Sequence, residues 1–299
     1  TIELKEWELL VSNPIIGGHV SSSGGIFSSV ERGENIEAEA IQIFCSAPQM
    51  WRATKHTDDA IEKYREAFKK SKLSSAWIHN IYLANLATDD KAMLEKSKNS
   101  IKNSLTVADQ IGATGVVLHT GSHKGRGFDA VSSQIVDSLQ EILGDTPKSP
   151  VLALENMAGQ GGVIGAALSD LGKLIKGVKS KRMAVCLDTC HAFAAGYDIR
   201  DTNGVDNLFE EFEAEIGLDR LAVVHANDSL MDLGSNRDRH ENIGQGFIGD
   251  DGFRALLAHE ASAGIPFLLE VPGYPLEEGG KGEGPDIRNI RHLKSLRDG

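Results

Sequence analysis

The stretch MAVCLDTCH, residues 183–191, ends a run of apolar, β-favouring side chains on Asp188 and reaches a histidine, His191, three residues later. Propensity alone would continue such a run with valine or isoleucine. Successive strand side chains alternate between faces, so Cys186 and Asp188 share one face and His191 follows just past the strand end. Seven similar runs lie on either side: IIGGHV (15–20), AIQIFC (40–45), AWIHN (76–80), GVVLHT (115–120), VLALEN (151–156), LAVVHAN (221–227) and FLLEV (267–271). Most of the intervals between them are 32 to 39 residues, room for one strand, one helix and two loops in a right-handed parallel unit. Eight such units predict a closed (β/α)₈ TIM barrel of the α/β class, a single domain over residues 1–299.

Helical spacing fills the intervals. Ile61, Tyr64 and Phe68 recur at three-four spacing, as do Val131, Ile135, Leu139 and Ile142, and Leu208, Phe209, Phe212 and Ile216 form a third stripe. Gly144 and Gly217 stand where helix C-caps are expected. Two Gly-rich stretches, residues 229–252 and 272–285, each follow a strand and are expected as long loops on the face where barrel active sites sit.

Polar residues fall at the C-terminal ends of six of the eight runs: His79, His119, Glu155, Asp188, His225 and Glu270. Parity sets Val117 with His119, Ala153 with Glu155, Cys186 with Asp188, Val223 with His225 and Leu268 with Glu270, all toward the barrel interior. Carboxylates and imidazoles crowded at one poorly solvated mouth call for divalent cations. His191 and the pair in Asp238-Arg-His240 raise the candidates to nine, too many for one ion. Nitrogen and oxygen donors without thiolate are the set expected of catalytic zinc, with manganese or iron as substitutes, and the arithmetic suits three ions with open positions. Cys186 and Cys190 are read as packing residues, and His56, His259 and His292 as structural. His19 and His123 stand between support of the site and contact with substrate.

Composition restricts the function classes. The chain has 299 residues, 40% apolar and 25% charged, as in an ordinary globular protein. It contains no apolar run long enough to span a membrane, and TIELKEWELL (1–10) is too charged for a secretion signal, so a cytoplasmic protein is expected. Three cysteines, Cys45, Cys186 and Cys190, are too few for a disulfide framework. A formal charge of −12 argues against a nucleic-acid partner, but three divalent ions would halve it and concentrate positive potential at the mouth.

With these residues in view, the chain resembles the endonuclease IV family of apurinic/apyrimidinic endonucleases over essentially its whole length. The carrying segments are HVSSSGG (19–25), IHNIYLANLA (78–87), LHTGSHKG (118–125), ALENMAGQG (153–161), LDTCHAFAAGYD (187–198), HANDS (225–229) and RDRHENIGQG (237–246). The resemblance implies one zinc on His79, His119 and Glu155, a second on Asp188, His225, Glu270 and bridging Glu155, and a third on His191, Asp238 and His240. It implies hydrolysis of the phosphodiester 5′ to an abasic site in duplex DNA, with Glu155 catalytic, leaving a 3′-hydroxyl and a 5′-deoxyribose phosphate. Related activity on blocked 3′ ends is implied as well.

The chain departs from the family pattern in three places. Thr120 stands where proline is usual, and the last ligand lies in LEVPGY (269–274). In CSAPQMW (45–51), Gln49 occupies the place of an arginine that wedges into DNA, leaving Met50 and Trp51 as an apolar wedge. Tyr82 is expected to line the gap left by the missing base. Arg52, Lys55, Lys124, Arg126, Arg200, Arg237 and Arg239 are expected near the mouth as contacts to the DNA backbone. A monomer is the default. Two rivals are a single-metal sugar isomerase or epimerase using Glu155, Asp188, His225 and Glu270 on the same barrel, and a non-catalytic protein that binds DNA lesions. The first leaves His79, His119, His191, Asp238 and His240 without a role.

Overall fold

The computed structural model describes residues 13–275 and 282–299. The TIELKEWELL segment and residues 276–281 of the second Gly-rich stretch lie outside the described residues. Eight parallel strands close a barrel: β1 (Ile15–His19), β2 (Ala40–Phe44), β3 (Ser75–His79), β4 (Gly115–Leu118), β5 (Val151–Glu155), β6 (Met183–Asp188), β7 (Leu221–His225) and β10 (Pro266–Leu269). β1 pairs with β2 on one side and β10 on the other, which closes the ring. The expected runs and the strands coincide to within a residue or two. His119 and Glu270 each sit one residue beyond the strand, where the chain turns into the mouth.

Helices α1 (Ser28–Asn35), α2 (Asp58–Lys70), α3 (Lys91–Ile111), α4 (Ser132–Gly144), α5 (Leu168–Val178), α6 (Thr189–Ala195), α7 (Thr202–Glu215), α8 (Gly249–Ala258) and α9 (Ile287–Asp298) follow the barrel strands. Their starts carry side chains that accept from main-chain amides left free by the helix: Thr57 from Ala60, Asp90 from Ala92 and Met93, and Asp286 from Arg288 and Asn289. Gly217 adopts φ +103° two residues past α7, whereas Gly144 ends α4 inside the helix and Asp145 caps it in right-handed conformation. The loop expected over residues 229–252 is more ordered than its glycines imply. Asp228–Ser229 (β8) pairs antiparallel with His240–Glu241 (β9), and α8 begins at Gly249.

Parity divides the core in two. The larger part lies between barrel and helices. The smaller fills the barrel itself with Ala40, Trp77, Val117, Ala153, Ala184, Cys186, Val223 and Leu268, and these include every interior residue paired above with a strand-end donor. The Trp77 ring fits because Gly115 on the adjoining strand has no side chain; a Cβ there would stand 2.8 Å from the ring. This apolar layer closes the barrel beneath the polar residues. Among the described residues, no helix is long and apolar enough to cross a membrane.

Candidate metal centre

Glu155, at the end of β5 and 1% exposed, is the hub of the mouth. One carboxylate oxygen lies 3.3 Å from His79 Nε2 and 3.0 Å from His119 Nε2. The other lies 3.2 Å from His191 Nδ1 and 3.3 Å from His225 Nδ1. Glu270 Oε2 approaches His225 Nδ1 at 3.3 Å. Asp188 Oδ2 stands 3.8 Å from His225 Nδ1 and 3.7 Å from His240 Nε2. Asp238 bridges His191 Nε2 and His240 Nε2, each at 3.2 Å. All nine residues singled out as donors therefore meet at one mouth. Donor atoms of His79, His119 and Glu155 lie within 4.8 Å of one another, as do those of His191, Asp238 and His240, and of His79, His225 and Glu270.

The neighbours turn several donor atoms toward this space. His79 Nδ1 donates to the Asn80 carbonyl at 2.7 Å and His240 Nδ1 to the Glu270 carbonyl at 3.2 Å, while His225 Nε2 meets the Gln42 side-chain oxygen at 3.0 Å. His191 Nδ1 faces the Asn156 carbonyl at 2.9 Å. Carbonyl oxygens only accept, so each of these nitrogens carries the hydrogen and the other nitrogen faces inward. Glu155 Oε1, His191 Nε2, His225 Nδ1 and His240 Nε2 are buried with no hydrogen-bond partner. Orphaned buried nitrogen and oxygen atoms aimed at a common space are what divalent cations satisfy, and the residues present fit them.

The electrostatics agree. Burial works against charge on every group, yet the carboxylates around His191 hold its imidazole well above its ordinary pKa and lift His240 to about 9, and His225 is raised as well by Cys186, Glu270 and Glu155 beside it. Conversely, burial notwithstanding, the imidazoles keep Glu155, Asp238 and Glu270 below the usual carboxylate range. A divalent cation would displace these protons and take over the same charge balance. Burial pushes the thiols of Cys186 and Cys190 up to about 12, so both stay protonated and neither offers a thiolate.

The other sequence candidates sort by position. His19 Nδ1 lies 2.9 Å from Glu270 Oε1, which makes it a support of that carboxylate. His123 accepts from the Gly125 and Gly127 amides and shapes its own loop. His56 bonds the Cys45 carbonyl, His259 accepts from the Ala261 amide, and His292 meets Asp250 at 2.7 Å. Tyr82, 48% exposed, sets its ring against His79 and His119, and burial with the nearby carboxylates keeps its phenol protonated. Its amide bonds the Pro48 carbonyl, tying it to the loop in which Gln49 and Met50 are exposed and Trp51 half-buried. Arg52, Lys55, Lys124, Arg237 and Arg239 are exposed. Arg200 is held by Asp198 through two hydrogen bonds, and Arg126 bonds the Ala87 carbonyl, so both are partly committed to structure.

Sequence reasoning missed Gln42, Asn156, Asn227, Asp228 and Gln160. Asn227 donates to Asp188 Oδ2 at 2.7 Å and accepts from the Glu270 amide at 2.7 Å, and Gln160 accepts from the Asp238 amide. A signal was present for Gln42, a lone amide mid-strand at an inward parity position.

Comparison with known proteins agrees with this architecture. Residues 30–296 match the xylose isomerase-like TIM barrels. Within that class the chain belongs to the endonuclease IV family. It is 39% identical to the probable endonuclease 4 of Halothermothrix orenii, over 87% of this chain and 94% of that one. It is 36% identical to the apurinic-apyrimidinic endonuclease 1 of Saccharomyces cerevisiae, over 95% of this chain and 77% of that one. The crystal structure of endonuclease IV from Thermus thermophilus superposes with a TM-score of 0.82 at 33% identity, covering 95% of this chain and 98% of that one. A D-tagatose 3-epimerase-like protein shares the fold at a TM-score of 0.69 and 20% identity.

Proposed function

We propose that this protein is a metal-dependent DNA-repair endonuclease that hydrolyses the phosphodiester 5′ to an abasic site in duplex DNA, leaving a 3′-hydroxyl and a 5′-deoxyribose phosphate. The observation that carries the reading is the convergence of all nine nitrogen and oxygen donors on one mouth, several with their buried donor atoms unpartnered. His79, His119 and Glu155 would hold one ion, Asp188, His225, Glu270 and shared Glu155 a second, and His191, Asp238 and His240 a third, with zinc the best match to the donor set. Bound there, the ions supply Lewis acidity toward phosphate oxygens and acidify water to near neutral pH.

The chain's own residues do the rest. Glu155 holds two groups of ligands in register through its two oxygens. The phenol of Tyr82 offers a hydrogen to a phosphate or sugar oxygen entering the cavity of about 320 Å³ that it lines with His119, Gln160 and Asp238. Larger clefts of about 580 Å³ beside β1 and β2 and about 530 Å³ beside β3 and β4 leave room for a nucleic-acid strand across the mouth. Met50, 54% exposed, serves as an apolar wedge beside Gln49. An abasic nucleotide lacks pairing and base stacking, so everting it costs less than flipping an intact one. Arg52, Lys124 and Arg239 supply backbone contacts. The same chemistry extends to blocked 3′ ends.

A sugar epimerase on this barrel would leave His79, His119, His191, Asp238 and His240 without a function, although they crowd the same mouth. The test incubates metal-replete protein with a duplex carrying a synthetic abasic site, with and without chelator. Nicking that chelator abolishes is the expected result. No nicking, with sugar isomerisation or with binding alone, would overturn the proposal.

A further inference from the structure

Gln42 lies midway along β2, fully buried, between His19 on β1 and Trp77 on β3 in the strand register. Its amide touches two of the four ligands expected around the second ion. Nε2 lies 2.8 Å from Glu270 Oε1, and Oε1 lies 3.0 Å from His225 Nε2. An ionised carboxylate can only accept, so the amide NH₂ must face Glu270. The oxygen of Gln42 is thereby turned to His225, where only an N–H satisfies it. His225 thus carries a hydrogen on Nε2 and turns Nδ1, the nitrogen left for an ion, toward Glu155 and Glu270, both at 3.3 Å. At Glu270 the same amide and His19, at 2.9 Å, saturate Oε1 and leave Oε2 for the site.

The geometry assigns Gln42 as the positioning residue of the second metal subsite: one amide sets which nitrogen of His225 and which oxygen of Glu270 face the ion. This rests on the metal-dependent reading above. His79, His191 and His240 are oriented instead by main-chain carbonyls of Asn80, Asn156 and Glu270, which no substitution removes. The orientation of His225 depends on a side chain, and it can be taken away.

The test compares wild type with Gln42→Met, which keeps length and burial while removing both hydrogen bonds. After loading with zinc and dialysis, metal content is measured by mass spectrometry, and circular dichroism confirms the fold. Wild type is expected to retain about three ions per chain, and Gln42→Met to hold one of them roughly 10- to 100-fold more weakly, the usual effect of losing an outer partner of a ligand. Equal retention in the two proteins overturns the assignment alone. Wild type that takes up no metal overturns the metal reading and the assignment together. A second measurement does not depend on the variant's folding: long-range ¹H–¹⁵N correlation spectra of zinc-loaded wild type should show His225 protonated on Nε2 and metal-bound through Nδ1. The reverse pattern would refute the role of Gln42.

Discussion

Replacing Asp228 with asparagine removes the anchor of the loop that delivers His240. Asp228 is completely buried just beyond β7, and five main-chain amides converge on its two oxygens. Ser229 and Ile248 donate to Oδ1 at 2.8 and 2.9 Å, Gly244 and Gly246 donate to Oδ2 at 3.0 Å, and Gly249 reaches both. Asparagine has one acceptor oxygen, so its NH₂ must confront one of these pairs of donors. Each buried donor left without a partner costs about 1–3 kcal/mol, which gives about 2–6 kcal/mol for two. Burial pushes the Asp228 carboxyl up in pKa against the pull of the Gly246 and Ser229 amides, so removing the charge recovers part of this. A net loss of about 2–4 kcal/mol is expected, a large share of a typical domain's stability. Because Asp228 belongs to β8, whose Ser229 pairs with His240 in β9, the loosened loop also takes His240 out of position. Urea unfolding at pH 7 reads the stability, and zinc content reads the site. A variant within about 0.5 kcal/mol of wild type, with unchanged zinc, would refute the reasoning.

Glu155→Gln removes the charge that four imidazole nitrogens surround, and is expected to lower nicking of abasic duplex about a thousandfold or more while leaving the dichroism spectrum unchanged; a rate near wild type would contradict its central place. In chelator-stripped protein, His240 is raised from 6.5 to about 9, so its contribution to stability is complete below pH 6.5 and lost as pH rises through 9. The lowered carboxyls of Glu155, Asp238 and Glu270 contribute above the ordinary carboxylate range and lose that contribution as pH falls through their lowered values. Stripped protein should therefore melt highest between about pH 5 and 6.5, whereas zinc-loaded protein gains stability above it, since deprotonated ligands bind metal. Calorimetry checks this, and a stripped Tm that rises from pH 6.5 to 9 would count against it. Trp77→Ala should cost about 3–5 kcal/mol by opening a void in the barrel interior. Trp77→Phe should cost under about 1.5 kcal/mol, because the indole N–H has no partner to lose; similar urea midpoints for the two variants would argue against a tightly filled interior.

The barrel was legible because two independent periods agree: alternation within short β-rich runs and three-four spacing between them. The donors were legible for a related reason. His79, Glu155, Asp188 and His225 interrupt apolar strands at one end, where neither burial nor propensity favours them. Residues that act through hydrogen bonds were harder to see. Asn227 and Asp228 follow a strand in what reads as an ordinary polar turn, and only the folded chain brings Asp228 to amides 16 to 21 residues away. The β8–β9 ladder was hidden by glycines and charges typical of a loop. The sequence also does not show that Asp198, two positions earlier, pairs with the Arg200 guanidinium.

The plug of Trp77, Val117, Ala153, Cys186 and Leu268 beneath the polar rim gives the site the shape of a cup with a single opening. Whatever reacts there must arrive and depart by the same side, and nothing can thread through. On the proposed reading, a rigid duplex would be too broad to descend, and only a part that protrudes from it would reach the bottom. The floor would then act as a depth gauge, favouring a backbone that has already buckled outward over one that remains smooth.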